Sequence, residues 1–140
     1  MMKTRTRAAL AFSVLLVSGS AQAADWVSIA KSADGKQEFF VDRSSIRAAG
    51  DIRRAWVKAI FVPRTMKSAV QPKKWWDYDL SRDAFNCAEE TYRKEALTVY
   101  YDDGTVIADP AESFPTPWTP VPPETILEAE MKFICSWILK

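Results

Sequence analysis

Ile52-Arg53-Arg54-Ala55-Trp56-Val57-Lys58-Ala59-Ile60-Phe61-Val62 is the clearest strand in the chain. Ala55, Val57, Ala59 and Phe61 fall at every second position and share one face, while Trp56, Lys58 and Ile60 share the other. The first face is wholly apolar and the second only partly so, which predicts a strand of a sheet with one face on a core and the other partly covered.

Outward from this strand the same period recurs. Upstream, Trp26 to Ala30 alternates Val27 and Ile29 with Trp26, Ser28 and Ala30. Asp34-Gly35 supplies the positive φ that a tight hairpin needs, and Gln37 to Val41 returns through Phe39 and Phe40. Asp42-Arg43-Ser44-Ser45 has turn chemistry, Ile46 is expected to anchor that loop in the core, and Gly50-Asp51 is another turn. Downstream, Pro63 to Lys74 reads as a loop with two prolines and four basic residues. Trp75-Trp76-Asp77-Tyr78-Asp79 reads as a short strand or an aromatic loop, and Phe85 to Cys87 as extended chain. Thr91 to Tyr101 is a further strand, with Tyr92, Ala96, Thr98 and Tyr100 alternating with Leu97, Val99 and Tyr101. Asp102-Asp103-Gly104-Thr105 turns it back into Val106 to Ala108.

From Pro110 to Pro123 six of fourteen residues are proline, so the segment lacks the N–H donors of a central strand or helix and reads as an extended surface connector. It leads to a predicted helix over Glu124 to Ile138, with Pro123 suited to the first turn and Glu124, Glu128 and Glu130 favouring the N-terminal end. Leu127, Met131, Ile134 and Ile138 form its apolar stripe, widened by Ile126, Ala129, Phe133 and Trp137, with Cys135 at the edge. Several strands followed by one amphipathic helix define an α+β fold with the helix laid on a face of the sheet.

The N-terminus sets the compartment. Lys3, Arg5 and Arg7 precede an apolar run from Ala8 to Val17, and Ala21-Gln22-Ala23 is a small-x-small cleavage pattern. Residues 1–23 are therefore expected to be a cleaved signal peptide and residues 24–140 a single exported domain. The apolar run is too short to span a bilayer, no later stretch approaches that length, and no cysteine marks a lipid anchor at the cleavage site. Cleavage removes three basic residues and leaves a net charge of −2, so the chain's slight positive excess points to neither nucleic acid nor membrane. Cys87 and Cys135 permit one intramolecular pairing, which an oxidising compartment favours. Closing that loop should stabilise the fold by about 4 kcal/mol. A metal site or reactive thiol is the competing reading, disfavoured by the absence of histidine and of any Cys-x-x-Cys pair.

The order of these features resembles the surface-adhesin protein E family of bacterial exported proteins. Trp26-Val27 after the signal, Phe39-Phe40-Val41-Asp42 leading to Ser45-Ile46, and the Trp56-centred strand carry the first half of the likeness. Cys87 before a long strand, Asp103-Gly104, Trp118, Pro123 and Cys135 inside the last helix carry the second. The resemblance implies an antiparallel sheet of about five or six strands, with the C-terminal helix fastened across one face by the cysteine pair. The family's namesake is an outer-membrane lipoprotein that binds host matrix and serum proteins. Lacking the lipid-attachment cysteine, this chain is expected to be periplasmic, released or otherwise at the cell surface without that anchor.

An enzyme is not expected. Without histidine there is no Ser-His-Asp nucleophile, and with four glycines no phosphate loop appears. Asp77/Asp79, Glu89/Glu90 and Asp102/Asp103 read as solvated surface, and Asp42 as an Asx-type turn. No cofactor is implied. Trp26, Trp56 and Trp137 have natural places in the sheet–helix core, and Trp118 among the connector prolines. Trp75, Trp76 and Tyr78 beside Lys73 and Lys74 cannot all point one way, so at least one is expected near the surface. That group is the candidate binding surface for a protein partner. A homodimer contact and plain loop packing compete with this use of it. The alternative function is a periplasmic accessory module that binds cell-wall glycan or inhibits an envelope enzyme.

Overall fold

Val41, Ala55, Val57 and Phe85 from neighbouring strands bury their side chains with Ile46 against Met131 and Ile134 of an α-helix. The computed structural model describes residues 23–69, 71–108 and 116–137. The expected signal residues 1–22, the connector residues 109–115 and the helix's last expected residue, Ile138, lie outside the described residues.

The strands are β1 (Trp26–Lys31), β2 (Gln37–Asp42), β3 (Arg47–Ala49), β4 (Ile52–Phe61), β5 (Trp76–Asn86), β6 (Thr91–Tyr101), β7 (Val106–Ala108) and β8 (Thr119–Pro120). A 3-10 turn over Arg43–Ser45 and the helix α1 (Ile126–Ser136) complete the described elements. The sheet is antiparallel throughout, in the order β1-β2-β4-β5-β6-β7. Its eight strands fill six positions, because two short strands continue longer ones. β2 pairs with residues 57–61 of β4 and β3 with residues 52–54. β7 likewise pairs with the end of β6 and β8 with its start. The α+β class and the expected sheet–helix arrangement are therefore present.

Local chemistry explains the turns. Gly35 and Gly104 take φ values of +70° and +82°, the left-handed conformations that the Asp-Gly hairpins require. Asp42 accepts from the N–H and hydroxyl of Ser44 at 3.0 and 2.6 Å and from the N–H of Asp25 at 2.9 Å, so it is the turn residue read from the sequence. Ile46 is 2% exposed beneath that turn.

Helix α1 starts two residues later than expected, because Thr125 is its N-cap. The Thr125 hydroxyl accepts from the N–H of Glu128 at 3.2 Å, while the Glu128 carboxylate accepts from the N–H of Glu124 at 2.9 Å. Pro123 and Glu124 thus precede the helix, and Glu130 lies in its second turn, buried rather than serving its N-terminus. Cys87, just beyond β5, is bonded to Cys135 in the last turn of α1, with their Cα atoms 5.8 Å apart. This covalent tie holds the last turn of the helix against the sheet, next to Met131 and Ile134 in the core.

Three expectations change. Residues 76–86 form one continuous strand rather than a short aromatic segment and a separate piece. In β6 a bulge at Glu95 reverses the alternation: Asp83 faces Lys94, but Arg82 faces Ala96. Tyr92 consequently shares a face with Leu97 and Val99, not with Ala96. Trp26 and Trp56 are not in the sheet–helix core. Both lie on the face that α1 does not cover, where Trp56 is 39% exposed. The even-numbered residues of β4 point there, and a core strand with Ala55, Val57 and Ala59 inside leaves no alternative.

Candidate functional site

The face of the sheet opposite α1 presents Trp26, Trp56, Lys58, Ile60, Tyr78, Leu80 and Tyr100, and no described element lies over them. The Tyr78 and Tyr100 rings stack across β5 and β6 at 4.1 Å. The Lys58 ammonium sits 4.2 Å above the Trp26 ring. Trp26, Lys58, Ile60, Tyr78 and Leu80 enclose a shallow depression of about 380 Å³. With Ile60 42% exposed, an aromatic and aliphatic patch rimmed by cations stands open to solvent.

The same face is cationic. Glu95, displaced by its bulge, meets Arg54 at 3.0 Å, Arg93 at 2.8 Å and Arg82 at 3.7 Å. Partial burial opposes ionisation, but the hydrogen bonds from Arg54 and Arg93 prevail and hold Glu95 below the usual carboxylate range. One carboxylate therefore ties down three guanidinium groups, and with Lys58 the surplus on this face is positive.

The residues singled out from the sequence are divided among different surroundings. Trp76 packs edge-on against Phe61 and Tyr101 on the helix side, at 5.5 and 6.4 Å. Tyr78 lies on the opposite face. Lys74 donates to Asp103 and Thr105, both at 2.6 Å, and so fastens the loop to the β6–β7 hairpin. Trp75 is half-buried, with the Lys67 ammonium 5.8 Å from its ring, and Lys73 is exposed in the adjoining turn. The five do not form one patch. Trp137 stacks on Phe133 and carries the Arg43 guanidinium at 5.3 Å. Trp118 holds Arg93 at 4.8 Å rather than lying among prolines alone.

On the helix side, between the sheet and α1, is a cavity of about 360 Å³. Gln37, Phe39, Phe61, Met66 and Trp76 line one part of it, and Asp79, Asp83, Lys94 and Glu130 another. Asp79 and Asp83 share the inward face of β5 with Phe85, Lys94 pairs with Asp83 from β6, and Glu130 comes from α1. Asp83 is 2% exposed, and its Oδ1 lies 3.5 Å from the Lys94 ammonium without a hydrogen bond. Burial raises Asp79 to about 6, and burial followed by the charge of Asp83 raises Glu130 to about 8. Burial pushes Lys94 down, but Asp83, Tyr92, Asp79 and Glu130 outweigh it, and the ammonium is held above its ordinary value. Among the described residues no three histidine, cysteine or acidic side chains are arranged to hold a metal ion.

Comparison with known proteins agrees with this architecture. The family described as surface-adhesin protein E matches residues 26–136. The chain belongs to that family. No curated protein matches this chain in sequence. Among solved structures it is similar to crystal form II of Haemophilus influenzae protein E, with a TM-score of 0.58 and 15% identity, covering 89% of this chain and 97% of that one. Protein E from non-typeable Haemophilus influenzae is similar at a TM-score of 0.51 and 16% identity, covering 88% and 83%. At such identities the likeness is one of fold.

From the sequence Asp79 reads as solvated surface and Glu130 as a helix-end charge, and neither Asp83 nor Lys94 is singled out. One signal was available. Asp79, Ser81, Asp83 and Phe85 sit at alternate positions, so the burial of Phe85 places the acids on the same side.

Proposed function

We propose that this chain is an exported, non-enzymatic binding protein that contacts an acidic, partly apolar protein surface through the helix-free face of its sheet. The observation that carries this reading is the uncovered patch of Trp26, Trp56, Ile60, Tyr78 and Leu80 beside a cationic surplus. Aromatic anchors exclude water at the centre of an interface, and arginines at its rim steer an acidic partner. Family membership and the signal-like N-terminus support export and protein binding. The proposed domain spans residues 24–140, and Lys73 and Trp75 stay in the proposal as a flanking contact on the neighbouring loop.

The test is binding of the secreted chain to immobilised matrix and serum glycoproteins, with purified cell-wall glycan in parallel. Trp56→Ala with Ile60→Ala should weaken protein binding at least about thirtyfold, as loss of a central anchor does. Added salt should weaken it further. Saturable binding to glycan alone would favour the accessory-module reading instead. Mass spectrometry of the exported chain should find Ala24 at its N-terminus. Protease treatment of intact cells should degrade it, because a strictly periplasmic protein meets no host partner.

A further inference from the structure

The cavity on the helix side is independent of the face proposed above. Its chemistry is unbalanced. Asp79, Asp83 and Glu130 surround a single ammonium, that of Lys94. Glu130 is 5% exposed and lines the cavity, and beside it the buried Oδ1 of Asp83 accepts no hydrogen bond among the described residues. A buried carboxyl oxygen without a hydrogen bond is costly unless something completes it. The mouth is open enough to admit that something: 23% of the Lys94 side chain is solvent-exposed. The volume, about 360 Å³, falls within the range of small-ligand pockets.

We propose that this cavity binds a primary alkylammonium group, its charge against Asp79 and Glu130 and its chain along Phe39, Phe61 and Trp76. An anion is disfavoured because Asp79 and Asp83 outnumber the one lysine even while Glu130 keeps its proton. A divalent metal lacks a converging ligand set among the described residues. An alkylammonium meets both halves of the lining, because the aromatic walls take the chain and the ring faces favour the charge. Lys94 shows the mode already, being an ammonium seated among these acids. The group can come from a free amine or from a lysine side chain of another protein.

The groups that face Glu130 are Asp79 and Asp83 from β5 and Tyr92 and Lys94 from β6. An arriving cation competes with the proton that Glu130 holds at neutral pH. Binding should therefore be about tenfold tighter at pH 9 than at pH 7.

The experiment is an NMR titration of the disulfide-intact chain, following the indole N–H of Trp76 and the amide of Glu130. The probes are n-butylammonium, its neutral counterpart 1-butanol, Nα-acetyl-lysine N-methylamide and N,N′-diacetylchitobiose. Saturable shifts with n-butylammonium, absent with 1-butanol and stronger at the higher pH, are expected. Glu130→Gln should keep the fold while losing the pH dependence and most of the affinity at pH 9. Binding of the lysine derivative would support a side-chain source, and its exclusion a free-amine source. Equal shifts with 1-butanol, affinity independent of pH, or no saturation below roughly 50 mM would overturn the assignment. Preferential saturation by the neutral disaccharide would overturn it in favour of glycan.

Discussion

Replacing Glu130 with glutamine should flatten the dependence of stability on pH. Burial first, then Asp83 and Asp79 working against Lys94, raise this carboxyl from 4.5 to about 8 in the native chain. Between those values the folded state keeps a proton that the unfolded state has released, so raising the pH favours unfolding. The contribution is complete below pH 4.5 and is lost as the pH climbs through 8. At 1.36 kcal/mol for each pH unit, a window of about 3.5 pH units amounts to about 5 kcal/mol. Asp79, raised by burial from 3.8 to about 6, adds a slope of the same sign at the acidic end of the window. Asp103, which Lys74 and Thr105 hold down at about 2, stabilises the fold fully above its ordinary value of 3.8 and loses that contribution only as the pH falls below it, which leaves the window clear. Urea unfolding of the oxidised chain, followed by tryptophan fluorescence from pH 5 to 8.5, measures the slope directly. Wild type should lose several kcal/mol across that range, while Glu130→Gln should lose much less and be the more stable of the two at pH 8. Parallel curves for the two proteins would refute the claim that Glu130 is buried and protonated.

Other outcomes follow from the same structure. Replacing Cys87 and Cys135 with serine together should cost about 4 kcal/mol, since the loop they close spans 48 positions; a change below 1 kcal/mol in urea unfolding would mean the helix docks unaided. Thr125→Ala removes the acceptor for the N–H of Glu128 and should cost about 1 kcal/mol, read as a lower urea midpoint at unchanged slope. Phe85→Ala, at a fully buried position, should cost about 3–5 kcal/mol. Trp56→Ala, on the open face, should cost far less, and an equal loss in thermal unfolding would place Trp56 in a core after all.

The fold was legible where one physical signal dominated. In β4 every second residue from Ala55 to Phe61 is apolar, and the reading of a half-buried strand holds. Cys87 and Cys135 had one pairing available, and that bond is formed. In β5 the signal was inverted. Asp79, Ser81 and Asp83 occupy the helix-side face, and polar residues in inward positions hide a strand from any search for apolar alternation. In β6 the extra residue Glu95 shifts the register, which no period-two reading can foresee. Trp56 shows a third limit: alternation groups it with Lys58 and Ile60 but does not say which group a helix will cover. The binding candidates Lys73, Lys74, Trp75, Trp76 and Tyr78 do not share one surface: Lys74 and Trp76 meet at Tyr101 on the helix side, and the bulge at Asp77 sends Tyr78 to the opposite face.

The claim that the helix-free face is the contact surface can be tested on the tryptophan indole N–H signals alone. Trp26 and Trp56 report from that face, and Trp76 and Trp137 from the helix side. In a titration of the isotope-labelled chain with a matrix or serum glycoprotein found to bind it in the assay proposed above, the first pair should shift or broaden at low partner ratios while the second stays unchanged. Perturbation of Trp76 and Trp137, with Trp26 and Trp56 untouched, would contradict the account.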